Sequence, residues 1–338
     1  MRVARLTSAQ RGSVRLARGL ATHHGRAVPS YLPAGAAAAA LAGISAFYGR
    51  SPDPVVLLRV ERTSVDGASL TVTECGGRRW LSLGDTVQSI ALVDGDGRAM
   101  LTHAEEWTQL ITVFADAWLR RRAAMGAGSV SEPSALLLGV GGAVIARSLL
   151  ALHASLSLHC VELEPEVLDA SQRHFELRLD DRCSASVLDA ALFVKGCVSQ
   201  GTSVGDGKEM GGIAAGGRQW DVVVVDCFTE AGLAPSVADG QLLRHLAACL
   251  GPGGLCLINT TWSTERGATA REVAAALTSH FGAVYLLEAS TCRNVVVLCH
   301  QGSTLDAAQW RRILETALPT SMCPDVSIAG CLQHLERR

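Results

Sequence analysis

The first 52 residues contain no acidic residue, and this absence sets the start of the chain apart from the rest. Residues 1–50 carry seven arginines and no lysine, and the first acidic residue is Asp53. An Arg-rich, Ser/Thr-bearing start without acids is typical of a mitochondrial transit peptide, and a disordered basic arm would share this composition. We expect residues 1–50 to be a transit peptide with its linker, and the protein to work in the mitochondrial matrix.

Two further absences narrow the class of protein. The chain has no apolar run of the roughly 20 residues that a membrane helix needs, because the run at residues 34–47 has only 14. The 11 cysteines form no C-x-x-C pair and no Cys/His cluster with zinc spacing. We expect no membrane span, no metal site and reduced, mostly buried thiols, which the mitochondrial matrix would permit.

Basic charge is scarce after the start of the chain. Residues 51–338 hold 23 basic and 32 acidic residues, a net charge of −9. Affinity for nucleic acid rests largely on Lys and Arg side chains that neutralise phosphates. The composition therefore argues against general nucleic-acid binding.

Short apolar segments separated by glycine turns predict a small N-terminal β domain at residues 51–102. Its predicted antiparallel strands are 55–60, 70–74, 79–83 and 87–93. A segment with apolar residues close to a 3.6-residue period then predicts a helix at 103–124.

From residue 134, apolar strands alternate with helical segments, and this alternation predicts an α/β fold. Near-continuous apolar strands such as DVVVVD (221–226) are typical of a parallel sheet that is covered on both faces. We predict a doubly wound, mostly parallel, seven-stranded Rossmann-like sheet in a domain at 103–304. A flexible Gly/Ser-rich insertion is expected at 197–219, a single helix at 237–250 and a helical tail at 305–338. The predicted strands are 135–139, 157–162, 183–188, 221–226, 254–259, 283–288 and 294–299, the last two paired antiparallel.

The ends of these strands carry the residues that predict a site. In doubly wound sheets, ligands bind where the carboxyl ends of the strands open a crevice. The first strand ends in a glycine turn whose missing side chains permit close approach of a ligand. The next three strands end in acids, and Glu162 lies close to the spacing expected for an acid that binds ribose hydroxyls. The predicted site residues are Gly139, Gly141, Gly142, Glu162, Asp189 and Asp226.

The glycine turn after the first strand lacks the third glycine of a dinucleotide-binding motif, and this absence helps to distinguish NAD from S-adenosylmethionine. A dinucleotide turn requires G-x-G-x-x-G, and here Val144 occupies the third position. Asp189 also suits the amino group of an adenosine that carries no phosphate. The pattern therefore favours S-adenosylmethionine over NAD.

Several stretches resemble the spermidine synthase family, and more closely its methyltransferase-like, S-adenosylmethionine-dependent branch. LSLGDTVQS (81–89) resembles the family's N-terminal β domain. The other stretches are LLLGVGGAVIARSLL (136–150), VELEPEVLDASQRHF (161–175) and WDVVVVDCFTEAGLAPSVADGQLLRHLAACLGPGGLCLIN (220–259).

The resemblance spans roughly residues 55–300 and implies a set of ligand contacts. It implies that the three glycines, Glu162 and Asp189 contact S-adenosylmethionine or a decarboxylated form of it. It places Gln88 and Asp226 near the sulfonium end of that ligand. It also suggests a homodimer.

Departures from the family pattern bear on the reaction. Polyamine synthases carry an acid where this chain has Ala143, and an Asp-x-x-Asp element where it has Asp226-Cys227-Phe228-Thr229. The family's tyrosines around the substrate are also missing. Without these acids a cationic amine would be poorly compensated in a dry pocket, so polyamine aminopropyl transfer is the least favoured activity.

Two functions remain open. The first is a mitochondrial methyltransferase that acts on a protein or RNA substrate, with Asp226, Glu230 or His103 as a base where the acceptor must lose a proton. The second is a non-catalytic structural or assembly component of a mitochondrial complex. An active enzyme should have an open pocket from Gly139 to Asp226, faced by Gln88. In a scaffold, side chains such as Val144 or Phe228 should fill that pocket.

Overall fold

The computed structural model describes ten parts of the chain. The predicted transit peptide and linker lie outside them, as does most of the predicted insertion at 197–219. The described residues are 54–60, 62–64, 67–125, 132–199, 219–229, 232–238, 240–262, 269–316, 323 and 336–337.

The N-terminal unit is a five-stranded antiparallel meander, with its strands in sequence order across the sheet. Leu70, Val72 and Leu81 are almost fully buried on one of its faces. The alternation of buried and half-buried residues in the second strand fits a sheet with one face on a core. The strands are β1 (Val55–Val60), β2 (Leu70–Cys75), β3 (Arg78–Leu83), β4 (Thr86–Val93) and β5 (Ala99–His103).

The main sheet confirms the predicted α/β fold. Five parallel strands, in the order β8-β7-β6-β9-β12, lie beside β14, β13 and a two-residue β15. The strands β13 and β14 pair antiparallel, as predicted. The sheet is made of β6 (Ser134–Leu138), β7 (Ser157–Glu162), β8 (Cys183–Val187), β9 (Trp220–Val225), β12 (Leu250–Thr261), β13 (Ala283–Glu288), β14 (Asn294–His300) and β15 (Glu336–Arg337).

A small hairpin and eight helices complete the described elements. The hairpin pairs β10 (Phe228–Thr229) with β11 (Gly232–Leu233) directly after β9. The described helices are α1 (Glu106–Met125), α2 (Val144–Leu152), α3 (Pro165–His174), α4 (Ala190–Ser199), α5 (Pro235–Ala238), α6 (Leu243–Cys249), α7 (Ala270–Leu277) and α8 (Ala307–Leu314). None of these helices is both long enough and apolar enough to cross a membrane.

Two hydrophobic cores lie on opposite faces of the main sheet. Helices α1, α2 and α8 contribute to one core, and α4, α6 and α7 contribute to the other. In β6, Leu137 belongs to the first core, and Leu136 and Leu138 belong to the second. Both faces of the parallel strands are therefore covered, which explains their near-continuous apolar sequences.

The structure differs from the predicted elements at several places, among them the β10–β11 hairpin and the start of β12 at Leu250, which the sequence pattern does not predict. The predicted helix at 237–250 is split into α5 and α6, because Gly240 has a left-handed backbone (φ 77°). The strand β5 occupies residues 99–103, where the sequence pattern predicts no strand. In the predicted helical tail, α8 is present, whereas Glu336–Arg337 pair with β13 as a strand.

The N-terminal unit packs on the main domain through a shared hydrophobic core. Leu70, Leu81 and Leu83 from the sheet meet Val167 and Phe175 of the α/β domain in this core. A hydrogen bond also links the two units, since the hydroxyl group of Thr63 donates to the buried Glu164 carboxylate (2.9 Å). The N-terminal sheet is thereby placed against the carboxyl ends of the parallel strands.

Candidate functional site

An open hollow lies at the carboxyl ends of β6, β7, β8 and β9. Strands β3 and β4 of the N-terminal unit form one wall, and the β10–β11 hairpin borders the hollow near the end of β9. Its lining combines acids, glycines and apolar side chains. The lining residues are Leu81, Leu83, Gln88, Gly139, Gly141, Val161, Glu162, Leu163, Val167, Leu188, Asp189, Ala190, Asp226, Cys227, Phe228, Thr229, Ala234 and Ser236.

Six of the seven residues predicted to bind the cofactor line this hollow. They are Gln88, Gly139, Gly141, Glu162, Asp189 and Asp226. The seventh, Gly142, is not part of the lining. A Cβ atom at Gly142 would lie 2.9 Å from the Ser89 side chain and 3.1 Å from Phe175. This glycine therefore serves the packing of the N-terminal unit against the turn.

The glycine turn requires a residue without a side chain at position 139. Gly139 has φ 86°, and a Cβ atom there would lie 2.1 Å from the carbonyl oxygen of Asp226. Gly141 also has a positive φ of 50°. The turn after β6 can therefore approach both the end of β9 and a ligand in the hollow.

Glu162 holds the glycine turn in place with its carboxylate. One oxygen accepts hydrogen bonds from the backbone N–H groups of Val140 (2.8 Å) and Gly141 (3.4 Å). The other accepts from those of Leu163 (2.9 Å) and Glu164 (3.2 Å). Burial raises the pKa of Glu162, and the backbone donors act in the opposite direction. All four lone-pair sites of this carboxylate have a partner.

Asp226 occupies the end of β9, next to the glycine turn. Its side chain is partly exposed to the hollow. Burial raises the pKa of Asp226 to about 7, a hydrogen bond from Asn259 opposes this shift, and the charge of Glu162 adds to it. The Asn259 amide nitrogen donates to the Asp226 carboxylate over 2.9 Å. Asp226 is therefore a carboxyl group that can gain or lose a proton near neutral pH.

Asp189 and Gln88 complete the polar lining. One oxygen of Asp189 accepts a hydrogen bond from the backbone N–H of Leu192 (3.0 Å), so this side chain caps the start of α4. The Gln88 amide donates to the carbonyl oxygen of Thr229 over 3.4 Å and so bridges the N-terminal unit and the hairpin. Both side chains are half-buried.

The charge of the hollow is negative. Three carboxyl groups line it, and none of the described lining residues is Lys, Arg or His. Cys227 also lines it, and its thiol donates to the carbonyl oxygen of Leu138 (3.3 Å). Burial, with the nearby acids, raises the pKa of Cys227 well above the ordinary thiol value. Cys227 is therefore a neutral thiol in a cavity suited to ligands with positive charge.

The other predicted bases are placed differently. His103 is buried outside the hollow, with its Nε2 atom 2.9 Å from the Ser148 hydroxyl oxygen. Burial, and then the charge of Arg147, lowers the pKa of His103 to about 3. His103 is therefore an uncharged core residue, and Glu230 lies outside the described residues.

The two side chains that could fill the pocket of a scaffold lie in different places. Val144 lies in the core shared with the N-terminal unit and is 5% exposed. Phe228 is half-buried and lines the hollow. Gln88 is in the lining of the hollow, as predicted.

Sequence reasoning missed Asn259, which holds the carboxylate of Asp226. It is fully buried in β12 and follows the apolar run LCLI. A polar residue at the end of a buried strand was the available signal, because strand ends form the crevice in this type of sheet.

The comparisons with known proteins identify the fold. No protein-family model matches the chain, and no curated protein sequence is significantly similar to it. A probable spermidine synthase from Corynebacterium glutamicum ATCC 13032 is 16% identical, with a TM-score of 0.56 over 79% of this chain and 88% of that one. A spermidine synthase in complex with the transition-state analogue AdoDATO is 11% identical, with a TM-score of 0.50 over 80% and 88%. The chain therefore has a spermidine synthase-like fold, as its sequence motifs predicted.

A third similar structure is human methyltransferase-like protein 13 in complex with SAH. It is 17% identical, with a TM-score of 0.49 over 62% of this chain and 89% of that one. Because the three structures are only 11–17% identical to this chain, their similarity to it is a similarity of fold.

Proposed function

We propose that this chain is an S-adenosylmethionine-dependent methyltransferase with a spermidine synthase-like fold. One observation carries the proposal: Gly139, Glu162, Asp189 and Asp226 converge on a single open hollow at the strand ends. A spermidine synthase with this fold binds AdoDATO, which supports an adenosyl ligand here as well.

The residues of the hollow fit such a ligand. Asp189 uses one oxygen to cap α4, and its other oxygen would accept from the adenine amino group. Glu162 stands where an acid binds the ribose, and the bare backbone at Gly139 permits close approach. When bound, S-adenosylmethionine supplies an electrophilic methyl group on a positively charged sulfur.

The chain's own residues would orient the reactants and move a proton. The negative lining attracts the sulfonium cation. Asp226 would accept a proton from the acceptor, because its pKa of about 7 suits a general base at neutral pH. Gln88 would help to close the hollow between the N-terminal unit and the hairpin.

Methyl transfer is favoured over aminopropyl transfer for a chemical reason. Thr229 stands where polyamine synthases carry a second aspartate, and Ala143 packs in the core without lining the hollow. With Glu162 and Asp189 beside the adenosine, a diamine would meet one further carboxylate among the described residues, Asp226, in place of a cluster. A protein or RNA acceptor needs mainly alignment with the methyl group.

One observation supports a non-catalytic role as the second candidate function. The four backbone donors around Glu162 already use its lone pairs, so ribose hydroxyl groups would have to displace some of them. A chain that keeps the fold as a structural or assembly component of a mitochondrial complex would have no need of a ribose acceptor. Ligand binding separates the two functions.

The binding test uses a variant that fills the hollow. We expect S-adenosylmethionine at 100 times its dissociation constant to stabilise the protein by about 2.7 kcal/mol in thermal unfolding. Ala190→Phe should abolish this gain, because Ala190 lines the hollow. Leu192→Phe is the matched control on the same helix, since Leu192 is 56% exposed. No stabilisation of the wild-type protein at millimolar ligand would favour the non-catalytic function.

The acceptor and the cellular setting belong to the same proposal. We expect labelled methyl groups to reach a mitochondrial protein or RNA, and Asp226→Asn to reduce this transfer. Import into isolated mitochondria with loss of the Arg-rich start would support the matrix location. A sedimentation mass of twice the monomer would support a homodimer.

A further inference from the structure

Two buried amides form a hydrogen-bonded chain that ends at Asp226. The Asn294 amide nitrogen donates to the Asn259 side-chain oxygen over 2.9 Å. The Asn259 amide nitrogen in turn donates to the Asp226 carboxylate over 2.9 Å. The chain crosses three neighbouring strands, from the start of β14 through β12 to the end of β9.

The setting of these amides makes them unusual. Asn259 and Asn294 are 0% and 1% exposed, and apolar residues such as Ile258 and Val295 flank them along the strands. Burial of a polar group is costly unless it is hydrogen-bonded, and here both ends of the Asn259 amide have a partner. Within the described lining of the hollow, the group that these two amides reach is Asp226.

The donor end of Asn259 meets the carboxylate in this arrangement. An amide side chain has a donor end and an acceptor end that can exchange by a half-turn. Asn294 donates to the oxygen of Asn259, and this leaves the NH₂ group of Asn259 to face Asp226. A donor stabilises an ionised carboxylate, whereas an acceptor would stabilise the protonated acid.

We propose that Asn294 and Asn259 are positioning residues that orient the Asp226 carboxylate and keep it ionised in the hollow. That an ionised Asp226 faces the sulfonium group of a bound ligand rests on the proposed function. Asn294 contributes through Asn259 and lines no part of the hollow.

The other groups around Asp226 make its protonation sensitive to this chain. Glu162 and Asp189 bring negative charge from the ends of β7 and β8, and the Cys227 thiol is neutral. The N-terminal unit and α1 contribute uncharged side chains, namely Gln88, Ser89, Trp107 and Thr108. The Asn259 donor therefore works against burial and against Glu162, with no cation in the described lining to assist it.

The experiment compares Asn294→Leu with the matched control Thr260→Val. Thr260 is also fully buried and also links β12 to β14, because its hydroxyl group donates to the carbonyl oxygen of Val295 (2.7 Å). It is adjacent to Asn259, so its side chain points to the opposite face of the sheet. Each variant loses one buried hydrogen bond between β12 and β14. Only Asn294→Leu also breaks the hydrogen-bonded chain that ends at Asp226.

The readout is the affinity for S-adenosylmethionine measured by calorimetry between pH 5.5 and 8.5. We expect the Asp226 titration midpoint to rise by about one pH unit in Asn294→Leu. This variant should therefore bind about tenfold more weakly at pH 5.5, about fivefold more weakly at pH 7 and less than about twofold more weakly at pH 8.5. Thr260→Val should keep the wild-type midpoint. The same loss at every pH in Asn294→Leu would show a merely structural role and overturn the inference.

A measurement without ligand keeps the inference testable if the proposed function fails. The pH dependence of unfolding is compared in pairs of proteins with and without Asp226→Asn, which isolates the titration of Asp226. Asn294→Leu, or the isosteric Asn294→Asp if the first variant does not fold, should move that titration upward. An unchanged titration of Asp226 would overturn the inference about Asn294 and Asn259. Failure of the wild type to bind S-adenosylmethionine would overturn only the proposed function.

Discussion

The carbonyl oxygen of Asp226 leaves no room for a side chain on the glycine turn. A Cβ atom at Gly139 would lie 2.1 Å from that oxygen, so the backbone of one strand end must move. Gly139 also has a positive φ of 86°, which an L-residue adopts only with strain. The spacing of the two strand ends, and with it the hollow, depends on this residue.

We predict that Gly139→Ala lowers the free energy of unfolding by about 3 kcal/mol, through backbone strain and overpacking together. Gly97→Ala is the control, because Gly97 has φ 76° and a Cβ atom there would have nothing within 4 Å. It should cost only about 1 kcal/mol. Urea unfolding of both variants measures the difference, and equal losses would mean that the clash with Asp226 is relieved at no cost.

The titration of Asp226 gives a second prediction at this scale. Its pKa is about 7 in the folded protein and about 3.9 in an unfolded chain. The folded state therefore binds the proton more tightly, and the resulting stabilisation is complete below pH 4 and lost as the pH rises through 7. Asp226→Asn cannot ionise, and its amide oxygen can still accept from Asn259.

We therefore expect Asp226→Asn to be more stable than the wild type at pH 8, by roughly 2 kcal/mol after allowance for partial solvation of the side chain. The difference between the two proteins should shrink toward pH 4. Chemical unfolding across this range measures it. A difference that does not change with pH would show that Asp226 titrates as an ordinary surface acid.

Single residues of the site could largely be placed from the sequence. Strand ends meet at one edge of a parallel sheet, so Gly139, Glu162 and Asp226 were expected to converge, and they do. Gly142 was placed in the site because it belongs to the same turn, but its contact is with Ser89. Asn259 was missed because its role depends on which strand lies beside it.

At the scale of elements, apolar runs located the strands of the main sheet to within one residue at most ends. Elements that depend on a backbone conformation or on a distant partner were harder to predict. Gly240 divides a helix that the apolar pattern continues through. Strand β5 consists of five residues next to a helix, and β15 exists only by pairing with β13.

The helix α8 closes one face of the main sheet, which settles where this part of the tail packs. Trp310 is 1% exposed and lies edge-on to Phe114 of α1 (ring centroids 5.4 Å) and to Tyr285 of β13 (5.7 Å). Its ring also lies 5.7 Å from that of Trp118. The helix is therefore attached to the core through Trp310, with Ile313 and Leu314 buried in the same core.

We predict that Trp310→Ala lowers the free energy of unfolding by about 3–5 kcal/mol, the range for a large aromatic lost from a core. Trp262→Ala serves as control, since Trp262 is only partly buried and stacks with the Arg271 guanidinium group (5.1 Å). Trp262→Ala should lower the free energy of unfolding by only about 1 kcal/mol. A small effect of Trp310→Ala would mean that α8 detaches without cost to the sheet.

At the scale of the whole molecule, the hollow exists because two units meet. The main domain supplies the carboxyl groups, and the N-terminal sheet supplies Leu81, Leu83 and Gln88 as the facing wall. Hydrophobic pattern indicates which residues of each unit are buried, but it does not indicate which surface of one unit meets the other. That information lies in contacts such as Gly142 with Ser89, which the sequence does not mark.

This contact leads to a prediction about how the two units are coupled. A methyl group at Gly142 would press on Ser89 of β4, next to Gln88, at 2.9 Å. We expect Gly142→Ala to cost about 2 kcal/mol of unfolding free energy through overpacking and to weaken ligand binding although residue 142 does not line the hollow. Ser89→Gly removes the opposing atoms, so in that background the same substitution should cost about 1 kcal/mol less.

Unfolding of the four proteins of this double-mutant cycle measures the coupling between Gly142 and Ser89. If the two substitutions were additive, the N-terminal sheet would be free to shift on the glycine turn, and Gln88 could not be held at the hollow by this contact.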